Sequence, residues 1–273
     1  MPRRIFHPDM LNGGVVIRKI LNGLLTLLLF SMLGFVMPSA AEAKNAKEAH
    51  MKKILFVVTS HDQLGNTGRK TGFYLPEVVH PYMVLSEKGF TIDIASPNGG
   101  KAPVDGIDQA DDVSKAFLAD KKYSKQIEET LKLDQLNAAD YAAIFLAGGH
   151  GTMWDFPDNA RLADLIKSIY ESGGVVAAVC HGPSGLVNVK LSNGKYLVAG
   201  KKVSAFTNEE ETETKLSNVV PFLLESKLEE RGANFNKAKN WQPIVVVDGR
   251  LITGQNPASA KAVGIEMVRF LTK

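Results

Sequence analysis

The segment VVAAVCHG, residues 175–182, combines a predicted buried strand with a candidate nucleophile. The small and β-branched residues from Val175 to Val179 predict a strand that is covered on both faces. They lead directly into Cys180, the single cysteine of the chain, and His181 and Gly182 follow at once. At the end of such a strand, Cys180 is either a nucleophile at the edge of the sheet or a small buried residue.

Further apolar strands and amphipathic helices alternate on both sides of this segment. We predict strands at 53–59, 90–95, 142–146, 243–247 and 251–253, helices at 77–88, 159–171, 217–231 and 257–271, and two polar helical pieces within 110–137. This alternation predicts an α/β fold with a mostly parallel sheet and helices on both faces. Ligands bind such sheets at the carboxyl ends of the strands, which indicates residues 60–77, 148–156 and 180–185.

The first 43 residues differ from the rest. Arg18 and Lys19 precede an apolar run that ends before Pro38, and residues 41–43 (AEA) match the pattern that signal peptidases cleave. We therefore expect a signal peptide over 1–43, a flexible lead-in over 44–51 and a single domain over 52–273. Cleavage would make the protein periplasmic or secreted, with no stable membrane association. The alternative is an uncleaved anchor, for which the apolar run is near the lower length limit.

The composition is that of an ordinary globular protein and limits the partners. The chain of 273 residues has a formal net charge of +3, and removal of residues 1–43 lowers it to +1. A nearly neutral protein without a basic cluster gives no basis for nucleic-acid binding. One cysteine excludes an intrachain disulfide. The sequence shows no run of histidine, cysteine and aspartate at metal-ligand spacing, so we predict no metal.

The order of the histidines limits which base could activate Cys180. No histidine follows His181, whereas α/β-hydrolases place their base downstream of the nucleophile. The base is therefore His181 itself or an upstream histidine, His61, His80 or His150, and His181 is the nearest in sequence. We also predict a helix after Cys180, whose N-terminus would lower the pKa of the thiol.

Five motifs together resemble the ThiJ/PfpI superfamily, and in particular its branch of heat-shock-protein-31-like, glutathione-independent glyoxalases. They occur in the family's order and span about residues 52–272. The motifs are TGFYLPEVVHP (71–81), AGGHGTMWDFP (147–157), AVCHGPSGL (178–186), AFTNEEE (205–211) and LITGQNPASA (251–260). The resemblance implies a flavodoxin-like sandwich and, as is usual in the superfamily, a homodimer.

The resemblance also implies roles for particular residues. Cys180 would be the nucleophile, His181 the base and Glu77 the buried acid that contacts the nucleophile. An acid that follows Phe206-Thr207 would orient His181. This position falls on Glu211, although Glu209 and Glu210 are close enough to remain alternatives.

The glycine-rich loop after the 142–146 strand would supply the oxyanion and substrate site. The resemblance places Gly149 and the backbone N–H of His181 there, with Gly148 and His150 in the same loop. Because two adjacent anions repel each other, Glu77 beside a thiolate is expected to have a raised pKa and to stay protonated.

The family's reaction converts methylglyoxal, a small 2-oxoaldehyde, to D-lactate through a hemithioacetal on the cysteine. The implied activity is that of a lyase of the glyoxalase III or D-lactate dehydratase type, which needs no glutathione, nicotinamide cofactor or metal. Two alternatives remain open: a holding chaperone of the stress response, and a cysteine peptidase or amidase. Because methylglyoxal forms in the cytoplasm, export would leave the physiological substrate undefined.

Overall fold

A computed structural model describes residues 53–273, and the predicted signal peptide and lead-in lie outside the described residues. The strands are β1 (Lys53–Val57), β2 (Phe73–Tyr74), β3 (Ile92–Ser96), β4 (Val104–Asp105), β5 (Leu131–Lys132), β6 (Tyr141–Leu146), β7 (Val175–Val179), β8 (Lys202–Val203), β9 (Asn234–Phe235), β10 (Val245–Asp248) and β11 (Leu251–Gly254). The α-helices are α1 (Leu75–Glu87), α2 (Asp112–Ala119), α3 (Lys121–Glu128), α4 (Thr152–Asp155), α5 (Ala160–Glu171), α6 (Asn208–Glu213), α7 (Leu224–Glu230) and α8 (Ala260–Leu271). None of these helices is long and apolar enough to cross a membrane.

Seven strands form one sheet in the order β10-β11-β7-β6-β1-β3-β5. All neighbouring strands in it are parallel except β10 and β11, which pair antiparallel. Parallel neighbours require a crossover connection, and helices supply most of these crossovers. The predicted α/β fold with a mostly parallel sheet is therefore confirmed.

The core lies on both faces of the sheet. Successive side chains of a strand point to opposite faces, so each central strand contributes to two clusters. Phe56, Phe145 and Val179 belong to the cluster that includes α1 and α8. Leu55 and Ile144 belong to the opposite cluster, which includes α5. All five are fully buried. Because both faces are covered, the sheet is open to a ligand only at the ends of its strands.

The strand order creates a crevice at the carboxyl ends of β7, β6 and β1, which are neighbours in the middle of the sheet. From β1 the chain continues toward β3 on one side, and from β6 it continues toward β7 on the other. Loops that leave adjacent strands in opposite directions open a binding crevice between them. The three loops expected from the sequence to form a site follow these same three strands.

The predicted helix over 217–231 is wrong in its first half, because the α-helix found there, α7, begins only at Leu224. Pro221 lies within the predicted stretch. Proline lacks a backbone N–H and disfavours helical backbone at the residue before it, so residues 217–219 form a turn and residue 220 a bend instead. The apolar residues of this stretch therefore reflect packing against the core rather than helical periodicity.

Candidate active site

Cys180 has a strained backbone at the end of β7. Its φ of 58° lies in the left-handed region, which costs a residue with a side chain roughly 1–3 kcal/mol. The backbone is fixed on both sides, because the Cys180 N–H donates to the Gly254 carbonyl at 3.0 Å and the Phe206 N–H donates to the Cys180 carbonyl at 2.9 Å. This elbow places the thiol against a cleft at the carboxyl end of the sheet.

The segment after Cys180 is a short 3₁₀-helix, Gly182–Leu186, and not the predicted helix. Pro183 and Gly185 are poor formers of an α-helix, which explains the tighter and shorter turn. The expectation of a lowered thiol pKa is also wrong. Burial, and then the neighbouring Glu77, raise the pKa of Cys180 well above its ordinary value. The thiol is therefore neutral near pH 7.

Glu77 is the buried acid beside this thiol. It lies in the first turn of α1 and is fully buried. Its Oε2 accepts a hydrogen bond from the Gly148 N–H at 2.9 Å, and its carboxyl interacts with the thiol of Cys180. The other carboxyl oxygen, Oε1, has no hydrogen-bond partner among the described residues. Burial raises the pKa of Glu77 to about 8, against the opposing effects of Cys180 and of the Gly148 N–H. The carboxyl is therefore mostly protonated at pH 7, and loss of hydration is the main cause.

Gly148 packs against both Glu77 and Cys180 and has no room for a side chain. A Cβ at this position would lie 2.7 Å from the Val179 carbonyl oxygen and 2.8 Å from the Cys180 Cβ. Because its N–H donates to Glu77, Gly148 holds the acid and does not offer that N–H to a substrate oxygen. Gly149, with a φ of 101°, lines the cleft beside it.

His181 contacts both the thiol and a carboxylate. Its Nδ1 lies 3.3 Å from the Cys180 Sγ, and its Nε2 lies 2.7 Å from the Glu211 Oε2. Burial lowers the pKa of His181 to about 4, and the neighbouring His150 adds to this effect. Burial alone would raise the pKa of Glu211, but the two imidazoles outweigh it and hold that pKa well below its ordinary value. A neutral imidazole thus faces an ionised carboxylate, which assigns the proton to Nε2 and leaves Nδ1 free to accept from the thiol.

The three adjacent acids of the AFTNEEE motif have three different environments. Glu211 is the one that contacts His181. Glu209 is exposed and forms an ion pair with Lys237 at 2.8 Å. Glu210 is fully buried and contacts neither Cys180 nor His181 by a hydrogen bond. Consecutive residues on a helix point about a quarter-turn apart, so the three glutamate side chains point in different directions.

Glu210 anchors the loop that carries Trp241. Its Oε1 accepts from the Trp241 N–H at 2.9 Å, the Gln255 Nε2 at 3.0 Å and the Asn256 Nδ2 at 2.8 Å, and its Oε2 accepts from Thr207. This accounts for two polar residues of the LITGQNPASA motif. The sequence reading missed this role, although Thr207 and Glu210 have the Thr-x-x-Glu spacing of a capping box, which the structure contains.

His150 is a second histidine on the same carboxylate. Its Nε2 lies 3.0 Å from the Glu211 Oε1, and its ring centre lies 4.1 Å from that of His181. Of the other upstream candidates, His61 contacts the Gln63 carbonyl and His80 contacts Asp111. Neither of them lines the cleft that contains Cys180.

His150, His181 and Glu211 form a group of metal-binding side-chain types that the sequence spacing did not reveal. One ligating atom from each lies within 4.8 Å of the others. The same atoms already form the direct contacts of 2.7 and 3.0 Å. Ligands that share a zinc ion lie on either side of it at about 2.0–2.2 Å from the metal, so an ion would have to separate these pairs. The arrangement fits a hydrogen-bonded network.

The cleft above Cys180 has a volume of about 360 Å³. Apolar side chains form much of its wall, including Leu64, Phe206, Leu216 and Trp241. Phe206 packs on the ring of His181, with ring centres 4.4 Å apart, and Trp241 packs edge-on against Phe206 at 5.6 Å. Such walls exclude water from the thiol and its partners, which strengthens the hydrogen bonds among them.

A family model described as the DJ-1/PfpI family matches residues 70–269. The chain belongs to the DJ-1/PfpI family. It is 33% identical over 238 residues to the glutathione-independent glyoxalase HSP31 of Saccharomyces cerevisiae, a match that covers 81% of this chain and 98% of the relative. It is 30% identical to glyoxalase 3 of Candida albicans, with 77% of this chain and 94% of the relative covered.

Solved structures of similar proteins agree with this membership. Glyoxalase III from Candida albicans superimposes with a TM-score of 0.74 at 30% identity, covering 81% of this chain and 98% of the other. Rapid Encystment Protein 24 kDa from Francisella tularensis superimposes with a TM-score of 0.80 at 42% identity, covering 82% and 100%. The DJ-1/PfpI fold and the resemblance to the glutathione-independent glyoxalases that the sequence indicated are confirmed.

We expect Glu77→Gln to stabilise the protein in a pH-dependent way. The pKa of Glu77 in the folded protein, about 8, lies above its ordinary value of 4.5. Below pH 4.5 the carboxyl is neutral in both states, whereas between pH 4.5 and 8 it ionises mainly in the unfolded chain and stability is lost. The free-energy advantage of the variant in urea unfolding should therefore grow by a few kcal/mol from pH 4.5 to pH 8. Glu87→Gln, an exposed position on the same helix, is the control, and an advantage that stays constant with pH would contradict a neutral Glu77.

Proposed function

We propose that this protein converts 2-oxoaldehydes such as methylglyoxal to the corresponding 2-hydroxy acids, with D-lactate as the product from methylglyoxal. The observation that carries the proposal is a continuous buried line of contacts from Glu77 through Cys180 and His181 to Glu211. The names of the similar proteins, glutathione-independent glyoxalases, support the same reaction class.

The resting state of the line is a proton relay. Protonated Glu77 donates to the sulfur of Cys180, the thiol donates to the Nδ1 of His181, and the Nε2–H of His181 donates to ionised Glu211. The raised pKa values of Glu77 and Cys180 and the lowered pKa values of His181 and Glu211 favour these protonation states at pH 7. Every donor therefore faces an acceptor, and no charge other than that of Glu211 is needed.

The first step forms a hemithioacetal. The sulfur of Cys180 bonds to the aldehyde carbon C1 while its proton passes to the Nδ1 of His181, and Glu77 gives its proton to the aldehyde oxygen. The resulting imidazolium is stabilised by Glu211, 2.7 Å away. The N–H of Gly149 is the backbone donor that we assign to the aldehyde oxygen, because the N–H of Gly148 is already bound to Glu77.

The second step oxidises C1 of the substrate and reduces C2. Ionised Glu77 takes the proton from C1, the released electron pair forms a C1–C2 double bond, and the C2 oxygen takes a proton from His181 to give an enediol. Glu77 then returns its proton to C2, and the C1 hydroxyl loses its proton to His181. C1 has been oxidised to a thioester and C2 reduced to an alcohol. The redox change is internal, so glutathione and a nicotinamide cofactor have no part in it.

Hydrolysis completes the cycle. Water attacks C1 of the thioester and gives one proton to Glu77, and the sulfur leaves with the proton held by His181. This restores the neutral thiol, the neutral imidazole and the protonated Glu77 of the resting relay. The same acid and base therefore act in each step, first on the substrate and then on water.

The neutral thiol favours aldehyde chemistry over the peptidase alternative. Cysteine peptidases of the papain type depend on a thiolate that is stabilised by a protonated histidine. Here the pKa of Cys180 is raised and that of His181 is lowered to about 4, so the ion pair is not the resting state. An aldehyde is electrophilic enough to accept the sulfur as the proton leaves, whereas an amide is a much weaker electrophile.

We expect purified protein to form lactate from methylglyoxal without added glutathione, as measured by NMR. Cys180→Ala should abolish turnover because no covalent intermediate can form. Glu211→Gln should lower kcat by about 10²–10⁴-fold, because the imidazolium loses its counter-charge.

The neighbouring acid supplies the control for this measurement. Glu209→Gln removes a carboxylate from the same helix, yet its partner is Lys237 at the surface. We expect it to keep kcat within about twofold. Full lactate formation by Cys180→Ala, or equal losses in the Glu209 and Glu211 variants, would refute the mechanism.

We further propose that the protein acts after export, because residues 1–43 have the basic, apolar and small-residue regions of a signal peptide. Expression of the full chain should give a periplasmic or secreted form whose N-terminal residue is Lys44, as read by N-terminal sequencing of fractionated cells. An intact N-terminus in the cytosolic or membrane fraction would contradict export with cleavage.

A further inference from the structure

Thr71 has a buried hydroxyl that takes no part in the proposed reaction steps. The residue is only 4% exposed, yet it lines the cleft together with Cys180 and Glu77. Among residues 53–273, no side chain or backbone group forms a hydrogen bond with its Oγ1. Buried hydroxyls in native proteins are nearly always hydrogen-bonded, and one that is not calls for an explanation.

The position of Thr71 is fixed by the chain around it. Its N–H donates to the Asp62 carbonyl at 3.1 Å. Shortly after it, Tyr74 donates its N–H to the Gly148 carbonyl at 3.1 Å, which joins this segment to the glycine-rich loop. Gly149 is packed against the carbonyl of Gly72, so closely that a Cβ could not fit. The hydroxyl is therefore carried on a rigid wall of the cleft that adjoins the loop holding Glu77.

Three of the other polar side chains that line the cleft already have protein partners. His150 is bound to Glu211, Lys70 to Asp62, and the hydroxyl of Thr214 donates to the Glu211 carbonyl. Glu77 also has a buried oxygen without a hydrogen-bond partner, its Oε1, but the proposed reaction already uses that carboxyl as acid and base. Thr71 differs because its buried hydroxyl has neither a partner among the described residues nor a part in the proposed steps. A ligand with an oxygen atom would supply the missing partner.

We propose that the hydroxyl of Thr71 binds the second oxygen of the 2-oxoaldehyde, the one on C2. This inference rests on the proposed function. A 2-oxoaldehyde has two adjacent oxygens, and the one on C2 gains electron density as the C1 proton leaves. A threonine hydroxyl donates to that oxygen in the ketone and enediol, and it can accept from it once C2 carries a hydroxyl in the product. One side chain can therefore follow the reaction without moving.

The test compares Thr71→Val, which keeps the shape and removes the hydroxyl, with Thr71→Ser, which keeps the hydroxyl. We expect kcat/KM for methylglyoxal to fall about 10- to 100-fold in Thr71→Val and by less than about threefold in Thr71→Ser. The Tm of Thr71→Val should equal or exceed that of the wild type, because the variant removes an unpartnered buried hydroxyl. A structural role would instead lower Tm and activity together.

Propanal isolates the contact with the second oxygen. It has the aldehyde and the three-carbon chain of methylglyoxal and lacks the oxygen on C2, so its inhibition constant should stay within about twofold in Thr71→Val. Ser204→Ala is the matched protein control, since Ser204 also has a buried hydroxyl without a partner among the described residues and does not line the cleft. It should leave kcat/KM unchanged within about twofold.

Three results would overturn the proposal: unchanged kcat/KM in Thr71→Val, equal weakening of methylglyoxal and propanal, or a lowered Tm. If the wild type formed no lactate, the proposed function itself would fail. Calorimetric titration of the wild type and Thr71→Val with the two aldehydes would still show whether the Thr71 hydroxyl binds the oxygen on C2. Weaker binding of methylglyoxal alone would support it, and identical binding of both aldehydes would refute it.

Discussion

The contact between the carboxyl of Glu77 and the thiol of Cys180 sets the constraints for the rest of the site. Both groups are buried, and burial disfavours the ionised form of each, so the pair is most stable with both protonated. A neutral pair needs an acceptor for the thiol proton, and His181 supplies it at 3.3 Å. In the proposed reaction His181 gains a positive charge, and the carboxylate of Glu211 lies where it would stabilise that charge.

The fold keeps these groups in contact by fixing the backbone around them. The strained φ of Cys180 is held between hydrogen bonds to Gly254, at the end of β11, and to Phe206, in the segment after β8. Gly148 permits the close approach of the acid and the thiol because any side chain there would overlap both groups. Preorganisation of this kind lets the site hold its reacting groups without rearrangement when a substrate binds.

Much of this arrangement could be predicted from the sequence. The apolar, β-branched run predicted β7 at Val175–Val179. Because ligands bind at the carboxyl ends of parallel strands, the three loops that form the cleft could also be predicted. Other features depend on tertiary contacts. The pKa of the Cys180 thiol is raised and not lowered as expected, because burial dominates and only a short 3₁₀-helix follows the residue. The choice of Glu211 among three adjacent acids, and the sharing of that acid with His150, follow from distances that sequence spacing does not encode.

The central claim is that Glu77 carries a proton next to a neutral thiol at pH 7. The direct measurement is the infrared difference spectrum between the wild type and Glu77→Gln, recorded as a function of pH. We expect the carbonyl stretch of a protonated carboxylic acid at pH 7, replaced by carboxylate absorption as the pH rises through about 8. A spectrum that shows only carboxylate at pH 7 would contradict it.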